Sequence, residues 1–245
     1  MVITTFVVRF IIITTSLLLM SLQEAISSLR KGDFILLHDG STRENEVDMV
    51  VAADFVTPEH IARMRQDAGG LVCLSINHTF ASSLGLNYMH DILLNSQNMD
   101  MDSKRMIIGT APYGDRPSFS ISINHANTFT GVTDKDRAFT ISEMARLYKS
   151  GTKNKKQIFN STFKTPGHVP LLIASEGLLS NRLGHTEMSI YLTNLAGLSP
   201  VAAICEMLDS ETFTALSIEK AKKYAKEYTI PYFDGSQLVK LAKEL

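Results

Sequence analysis

From Ser21 onward the apolar positions fall into short, regular groups. Leu22, Ala25, Ile26 and Leu29 recur at helical spacing, and Gly32 ends that helix. Phe34 to Leu37 reads as a short apolar strand and Met49 to Ala53 as another, with an acidic loop between them. Thr57-Pro58-Glu59 offers a hydroxyl cap, a proline at the first helical position and an acid in the first turn, so a helix starts there and Gly69-Gly70 closes it. Leu71 to Ile76, Ser118 to Asn124, Leu171 to Ala174 and Val201 to Cys205 are further strands. Thr140 to Tyr148, the amphipathic set Met188, Tyr191, Leu192 and Leu195, Ile218 to Tyr228 and Gln237 to Lys243 are helices. Asn95 to Pro117 has little periodicity and many turn formers, which predicts a long mobile loop of the kind that covers a site. Gly151 to Lys156 is a polar surface connection. Strands and helices mix without strict alternation, so the pattern predicts an α+β fold with a mixed twisted sheet flanked by helices.

The first twenty residues break this regularity. Residues 1–19 form an apolar leader interrupted by Arg9, which is costly in hydrocarbon and argues against a membrane anchor. No charge precedes the apolar run and no small-x-small site follows it, which argues against a cleaved signal. The expectation is a start at Met20, a leader outside the fold and one domain over 20–245. The 24 basic and 25 acidic residues leave no basic face for nucleic acid. Cys73 and Cys205 each lie in an apolar run and read as buried thiols, which fits a reducing, cytoplasmic location and no membrane.

The chemistry concentrates in a few places. Asp39, Glu44, Glu46 and Asp48 set four carboxylates around Arg43, an arrangement that repels itself unless a cation sits there. An extended backbone would aim the acids at 44, 46 and 48 the same way. Far downstream, Arg182-Leu183-Gly184-His185-Thr186 provides a guanidinium, a glycine, an imidazole and a hydroxyl before a helix, suited to gripping an anion; Thr186 is the expected cap. Glu206 ends the apolar strand at 201–205, where a carboxylate is either paired with a cation or used chemically. His168 follows Pro166-Gly167 and reads as an imidazole at a turn. A metal on one side and a phosphate on the other point to an enzyme acting on a small phosphorylated, oxygen-rich substrate.

Taken in order, Arg43-Glu44-Asn45-Glu46-Val47-Asp48, Thr130-Gly131-Val132-Thr133 with Asp136-Arg137, Pro166-Gly167-His168, Arg182-Leu183-Gly184-His185-Thr186-Glu187 and Ile204-Cys205-Glu206 resemble the 3,4-dihydroxy-2-butanone 4-phosphate synthases of riboflavin biosynthesis. Asp67-Ala68-Gly69-Gly70 resembles the archaeal branch. The resemblance implies a three-layer α+β homodimer that converts D-ribulose 5-phosphate to L-3,4-dihydroxy-2-butanone 4-phosphate and formate with Mg²⁺ or Mn²⁺, two ions per subunit. It implies metal ligation by Glu44 and His185 and substrate contacts from Arg43, Glu44, Asp48, Glu206 and the run Arg182, Leu183, Gly184, His185 and Thr186. It makes His168 and Glu206 catalytic. The family's usual glycine before the last aspartate of the acidic motif is Val47 here, which restricts the backbone at that point.

The same residue types would also serve another divalent-metal-dependent sugar-phosphate lyase or isomerase, and formate release separates the two. A non-catalytic sugar-phosphate sensor would be expected to lack His168 or Glu206, and both are present. Two cysteines cannot supply the three-cysteine zinc site of the cyclohydrolase to which some synthases are fused, so a monofunctional chain is expected.

Overall fold

A computed structural model of the protein describes residues 19–107 and 109–244. The predicted leader lies outside these residues apart from Leu19, which belongs to a helix, α1, running over 19–31. Seven strands form one mixed sheet: β1 (Ile35–His38), β2 (Val47–Ala52), β3 (Cys73–Ile76), β4 (Phe119–His125), β5 (Phe163–Ile173), β6 (Val201–Glu206) and, at one edge, β9 (Tyr232–Asp234). Their order is β4-β5-β3-β6-β2-β1-β9, with β1–β9 and β3–β5 parallel and the other pairs antiparallel. A separate two-stranded ribbon joins β7 (Leu208–Asp209) to β8 (Thr214–Ala215).

The period of two along each strand divides the core into two layers. Leu36, Val47, Met49, Val51, Leu74, Ala203 and Cys205 belong to a cluster with α2 (Pro58–Arg63), α3 (His78–Leu84), α6 (Asp134–Lys149), α7 (Lys155–Thr162) and α9 (Ile218–Glu227). Ile35, Leu37, Val50, Cys73, Ala202 and Ile204 belong to the other cluster, with α1, α8 (His185–Leu195) and α10 (Gly235–Glu244). Helices therefore cover both faces, the predicted three-layer arrangement. Both cysteines are free and buried.

Several boundaries differ from the sequence pattern for local reasons. The helix begun at Pro58 passes into a π-turn at Met64–Ala68 before Gly69 closes it in the left-handed region. The segment Asn95–Pro117 is not continuous loop: a short helix, α5 (Met101–Lys104), interrupts it, preceded by α4 (Met89–Leu94). The helix expected from Thr140 starts earlier, at Asp134, because the Thr133 hydroxyl accepts the Asp136 N–H. The strand expected from Leu171 begins at Phe163, so Pro166-Gly167-His168 lies within β5 rather than at a turn. Gly167 is required there because a Cβ would meet the Ile123 carbonyl carbon of β4 at 2.0 Å. Among the described residues no helix is long and apolar enough to cross a membrane.

Candidate active site

The two layers place the chemistry on one face of the sheet. Val47 and Asp48 are neighbours on β2, so their side chains leave opposite faces: Val47 enters the core beneath α2, and Asp48 faces the side covered by α8. Asp48 lies directly across from Glu206 on β6. Like charges opposite one another destabilise a strand pair, so this pairing is built to be neutralised by a cation or a proton. Upstream, Asn45 takes a positive φ of 58°, a conformation that asparagine tolerates, and the chain turns so that Glu44 and Glu46 line the same cavity as Asp48. The restriction at Val47 thus has no cost: that residue is ordinary buried strand, and the left-handed position falls on Asn45.

Asp39 shapes this loop. Its fully buried carboxylate accepts the Glu44 and Glu46 amides at 3.0 and 3.1 Å and Arg43 Nη1 at 2.9 Å. The ligand atoms of Asp39, Glu44 and His185 lie within 4.8 Å of one another, the one such grouping of three among the described residues. Asp39 is committed to three donors, while Glu44 Oε2 meets Arg43 Nη1 at 2.7 Å and His185 Nδ1 at 3.4 Å, so a cation held by Glu44 and His185 would take over contacts these side chains now make with each other and with Arg43. His185 opens α8 and is buried, with Nδ1 3.4 Å from Glu44 Oε2 and Nε2 3.7 Å from Asp48 Oδ1. Asp48 Oδ1 is buried with no hydrogen-bond donor among the described residues, a free oxygen facing the imidazole.

Protonation reflects the crowding. Burial pushes the Asp48 carboxyl up to about 7; Glu206, Glu44 and Glu46 add to the rise, while His185 opposes it. Burial works against charge on His185, but Asp48, Glu44 and Asp39 outweigh it and hold the imidazole at about 9. Glu44 loses to burial yet gains from hydrogen bonds to His185 and Tyr113 and from Arg43, which bring it down to about 2. Burial followed by Glu44 raises Glu46. A protonated His185 balances part of this negative charge, and a divalent cation suits the same donor set of one imidazole and several carboxylates.

Across the cavity stand the two arginines. A Cβ on Gly184 would come within 2.3 Å of Arg182 Nη1 and 2.9 Å of Arg43 Nη2, so both guanidiniums lie over this one glycine. Arg182 Nη1 also pairs with the fully buried Glu187 at 2.5 Å, and Glu187 in turn accepts the Ser175 amide at 2.9 Å. Glu206 has its Oε2 on the Leu71 amide at 2.8 Å. The resulting cavity, about 210 Å³, is lined by Arg43, Glu44, Glu46, Asp48, Arg182, His185, Thr186 and Glu206.

Three of the residues expected here sit differently. Gly184 is the residue before α8, and Thr186 is inside its first turn with its hydroxyl 3.4 Å from Ser118 Oγ, so Thr186 is not the cap. Leu183 is exposed and does not line the cavity. His168 is also exposed and outside this cavity, with its amide and ring held by Asn124 at 2.8 and 3.1 Å. Sequence reasoning missed Tyr113, Asp115, Ser118 and Phe119. Tyr113 lies on Arg43, 4.7 Å from ring centroid to guanidinium, and Asp115 Oδ2 accepts Arg43 Nε at 2.8 Å.

Known proteins share the sequence and the fold of this chain. The sequence model of the family described as 3,4-dihydroxy-2-butanone 4-phosphate synthase matches residues 23–241. The chain is 43% identical to the 3,4-dihydroxy-2-butanone 4-phosphate synthase of Methanothermobacter thermautotrophicus, over 89% of this chain and 94% of that protein. It is 41% identical to the synthase of Archaeoglobus fulgidus, over 91% and 94%. Among solved structures, the synthase of Candida albicans superposes with a TM-score of 0.70 at 28% identity, over 90% of this chain and 96% of that one. A synthase in complex with two magnesium ions superposes with a TM-score of 0.72 at 26% identity, over 91% and 96%. With its mixed sheet, its acidic cluster and its paired arginines on one face, the chain belongs to the 3,4-dihydroxy-2-butanone 4-phosphate synthase family.

Proposed function

We propose that this chain converts D-ribulose 5-phosphate to L-3,4-dihydroxy-2-butanone 4-phosphate and formate, with a divalent cation held by Glu44 and His185. The observation that carries the reading is one cavity with carboxylates and an imidazole on one wall and two guanidiniums on the other. Arg43 and Arg182 bind the phosphate and so orient the sugar toward Glu46, Asp48 and Glu206. A cation bound to Glu44 and His185 would stabilise the oxyanion that develops when the sugar loses its C3 proton. Asp48, whose carboxyl titrates near neutral pH, and Glu206 hold and return protons while the C1 hydroxyl leaves, the skeleton rearranges and C4 departs as formate. The water lost at C1 balances the water consumed in releasing formate.

A donor set rich in carboxylates favours Mg²⁺ or Mn²⁺, and Glu46 and Asp48 beside the first pair support a second ion per subunit. The homodimer belongs to the same reading. His168 is exposed on β5 outside its own chain's cavity, so as a catalytic group it would act on the substrate of a second copy. Buried free thiols support a cytoplasmic location, and one sheet with a core layer on each face supports residues 20–245 as a single domain. Incubating the protein with ribulose 5-phosphate and Mg²⁺ and assaying formate tests the activity, and absence of formate refutes it. Mixing His168→Ser with Glu206→Gln subunits tests the shared site: activity should return in the mixed dimer only if His168 serves the partner.

A further inference from the structure

Asp115 lies between the two arginines assigned above to the phosphate. Its Oδ2 accepts Arg43 Nε at 2.8 Å and lies 3.7 Å from Arg182 Nε, bridging the two guanidiniums that crowd over Gly184. Arg43 Nη2 and Arg182 Nε are buried and make no hydrogen bond among the described residues, although Arg43 Nε and Nη1 and Arg182 Nη1 are engaged. These are donors directed at a larger anion than one carboxylate.

Charge makes the occupancy exclusive. Arg43 and Arg182 together contact four carboxylates: Asp39, Glu44, Glu187 and Asp115. A phosphate dianion added to that set would face a net negative surrounding, so one carboxylate must leave. Asp39 and Glu187 are fully buried and locked by backbone amides, and Glu44 is held by His185 at 3.4 Å as well as by Arg43 at 2.7 Å. Asp115 is the exception. Its side chain is 27% exposed, close to the 25% of Glu44, but among the described residues its carboxylate meets only the two arginines, and it sits on a tight turn in which the Gly114 amide reaches the Ala111 carbonyl and the Ala111 amide reaches the Asp115 carbonyl. The turn carries Tyr113 with it, against Arg43 and hydrogen-bonded to Glu44.

Building on the assignment of Arg43 and Arg182 to the phosphate, we propose that Asp115 is a built-in competitor for that subsite, displaced only by a ligand carrying a phosphate dianion. A neutral sugar offers no charge to replace the carboxylate between the arginines, and a phosphate offers two charges and three oxygens. Asp115 therefore sets the phosphate requirement of the site. When it leaves, the turn at 111–115 leaves with it, uncovering the cavity as the substrate arrives.

Inorganic phosphate is the direct probe, because it tests the subsite without turnover. Calorimetric titration should show Asp115→Asn binding phosphate about tenfold more tightly than wild type, the loss of one charge-assisted competitor, and Arg182→Ala binding it more weakly than either. Removing a negative charge could by itself favour an anion, so hydrogen exchange supplies the second readout. In wild type, phosphate should speed exchange of the amides at 109–117 while slowing those at 184–187; in Asp115→Asn the 109–117 amides should exchange fast without phosphate. Equal phosphate affinity in wild type and Asp115→Asn overturns the proposal, as does phosphate that protects 109–117 in wild type. Phosphate binding unaffected by Arg182→Ala overturns the anion-subsite reading itself, and the proposal with it.

Discussion

Gly70 and Glu206 are packed so closely that no side chain fits between them: a Cβ on Gly70 would lie 2.5 Å from both the Glu206 carbonyl oxygen and Oε2. The Gly70 amide donates to that carbonyl at 3.0 Å, and the next amide, of Leu71, holds the carboxylate. The glycine thus aims an acid 136 residues further along the chain. Gly70→Ala should push Glu206 out of position and cut kcat for formate release by roughly 10²-fold, the scale of a lost general acid or base. KM should move far less, and the melting temperature should fall because the Cβ also strikes the Glu206 backbone carbonyl. A variant with wild-type kcat would show that Glu206 needs no such aiming.

Glu44→Gln and His185→Asn should each nearly abolish formate release and weaken Mn²⁺ binding while leaving far-UV circular dichroism unchanged. Both side chains meet at 3.4 Å, and each is a donor in the proposed cation site. Normal metal affinity in either variant, measured by calorimetry, would remove that residue from the metal site.

Arg182→Ala should do two things at once. Loss of a charge-assisted phosphate contact should raise KM by the equivalent of about 2–3 kcal/mol. It also strands the fully buried Glu187, and breaking a buried pair from one side costs about 3–5 kcal/mol of stability. Adding Glu187→Gln to Arg182→Ala should recover much of the stability and none of the KM. A double variant that restores KM would show that Arg182 acts only as a structural partner of Glu187.

His125 gives a pH dependence that does not involve the site. It is buried between Phe139 and Phe163, at 4.7 and 5.2 Å between ring centroids, and its Nδ1 accepts the Asn127 amide. Burial holds its pKa below the usual 6.5, with Glu143 pulling weakly the other way. A histidine kept neutral by the fold contributes stability above its unfolded pKa and loses it as pH falls through about 6.5 toward the folded value. The stability advantage of wild type over His125→Gln should therefore shrink between pH 7.5 and 5.5 in urea titrations. A difference independent of pH would contradict the assignment.

What the sequence disclosed follows from period. Six of the seven sheet strands, β5 only from Leu171, the acidic loop and the arginine–histidine run are legible because apolar alternation marks strands and their ends, and because charge beside a buried strand is conspicuous. Phe163 to Val169 was missed because Pro166 and Gly167 carry turn chemistry; their place in β5 is set by the approach of Ile123, which no local pattern records. Tyr113 and Asp115 were missed for a related reason. They lie in a stretch without periodicity, and what orders them is Arg43, 72 residues distant in sequence. The short edge strand β9 is three residues long, below what alternation can reveal.

The exit of the acidic loop is anchored like a core residue. Val47 is wholly buried, pairs with His38, and its carbonyl accepts the Met207 amide at 2.9 Å. Sliding β2 by one position would drag this valine into the cavity and turn Asp48 into the hydrophobic layer, reversing both at once. A glycine at 47 would leave that alternative open. With valine, the placement of the acids has the stability of the core behind it, and precision at the acidic wall of the cavity becomes a by-product of folding.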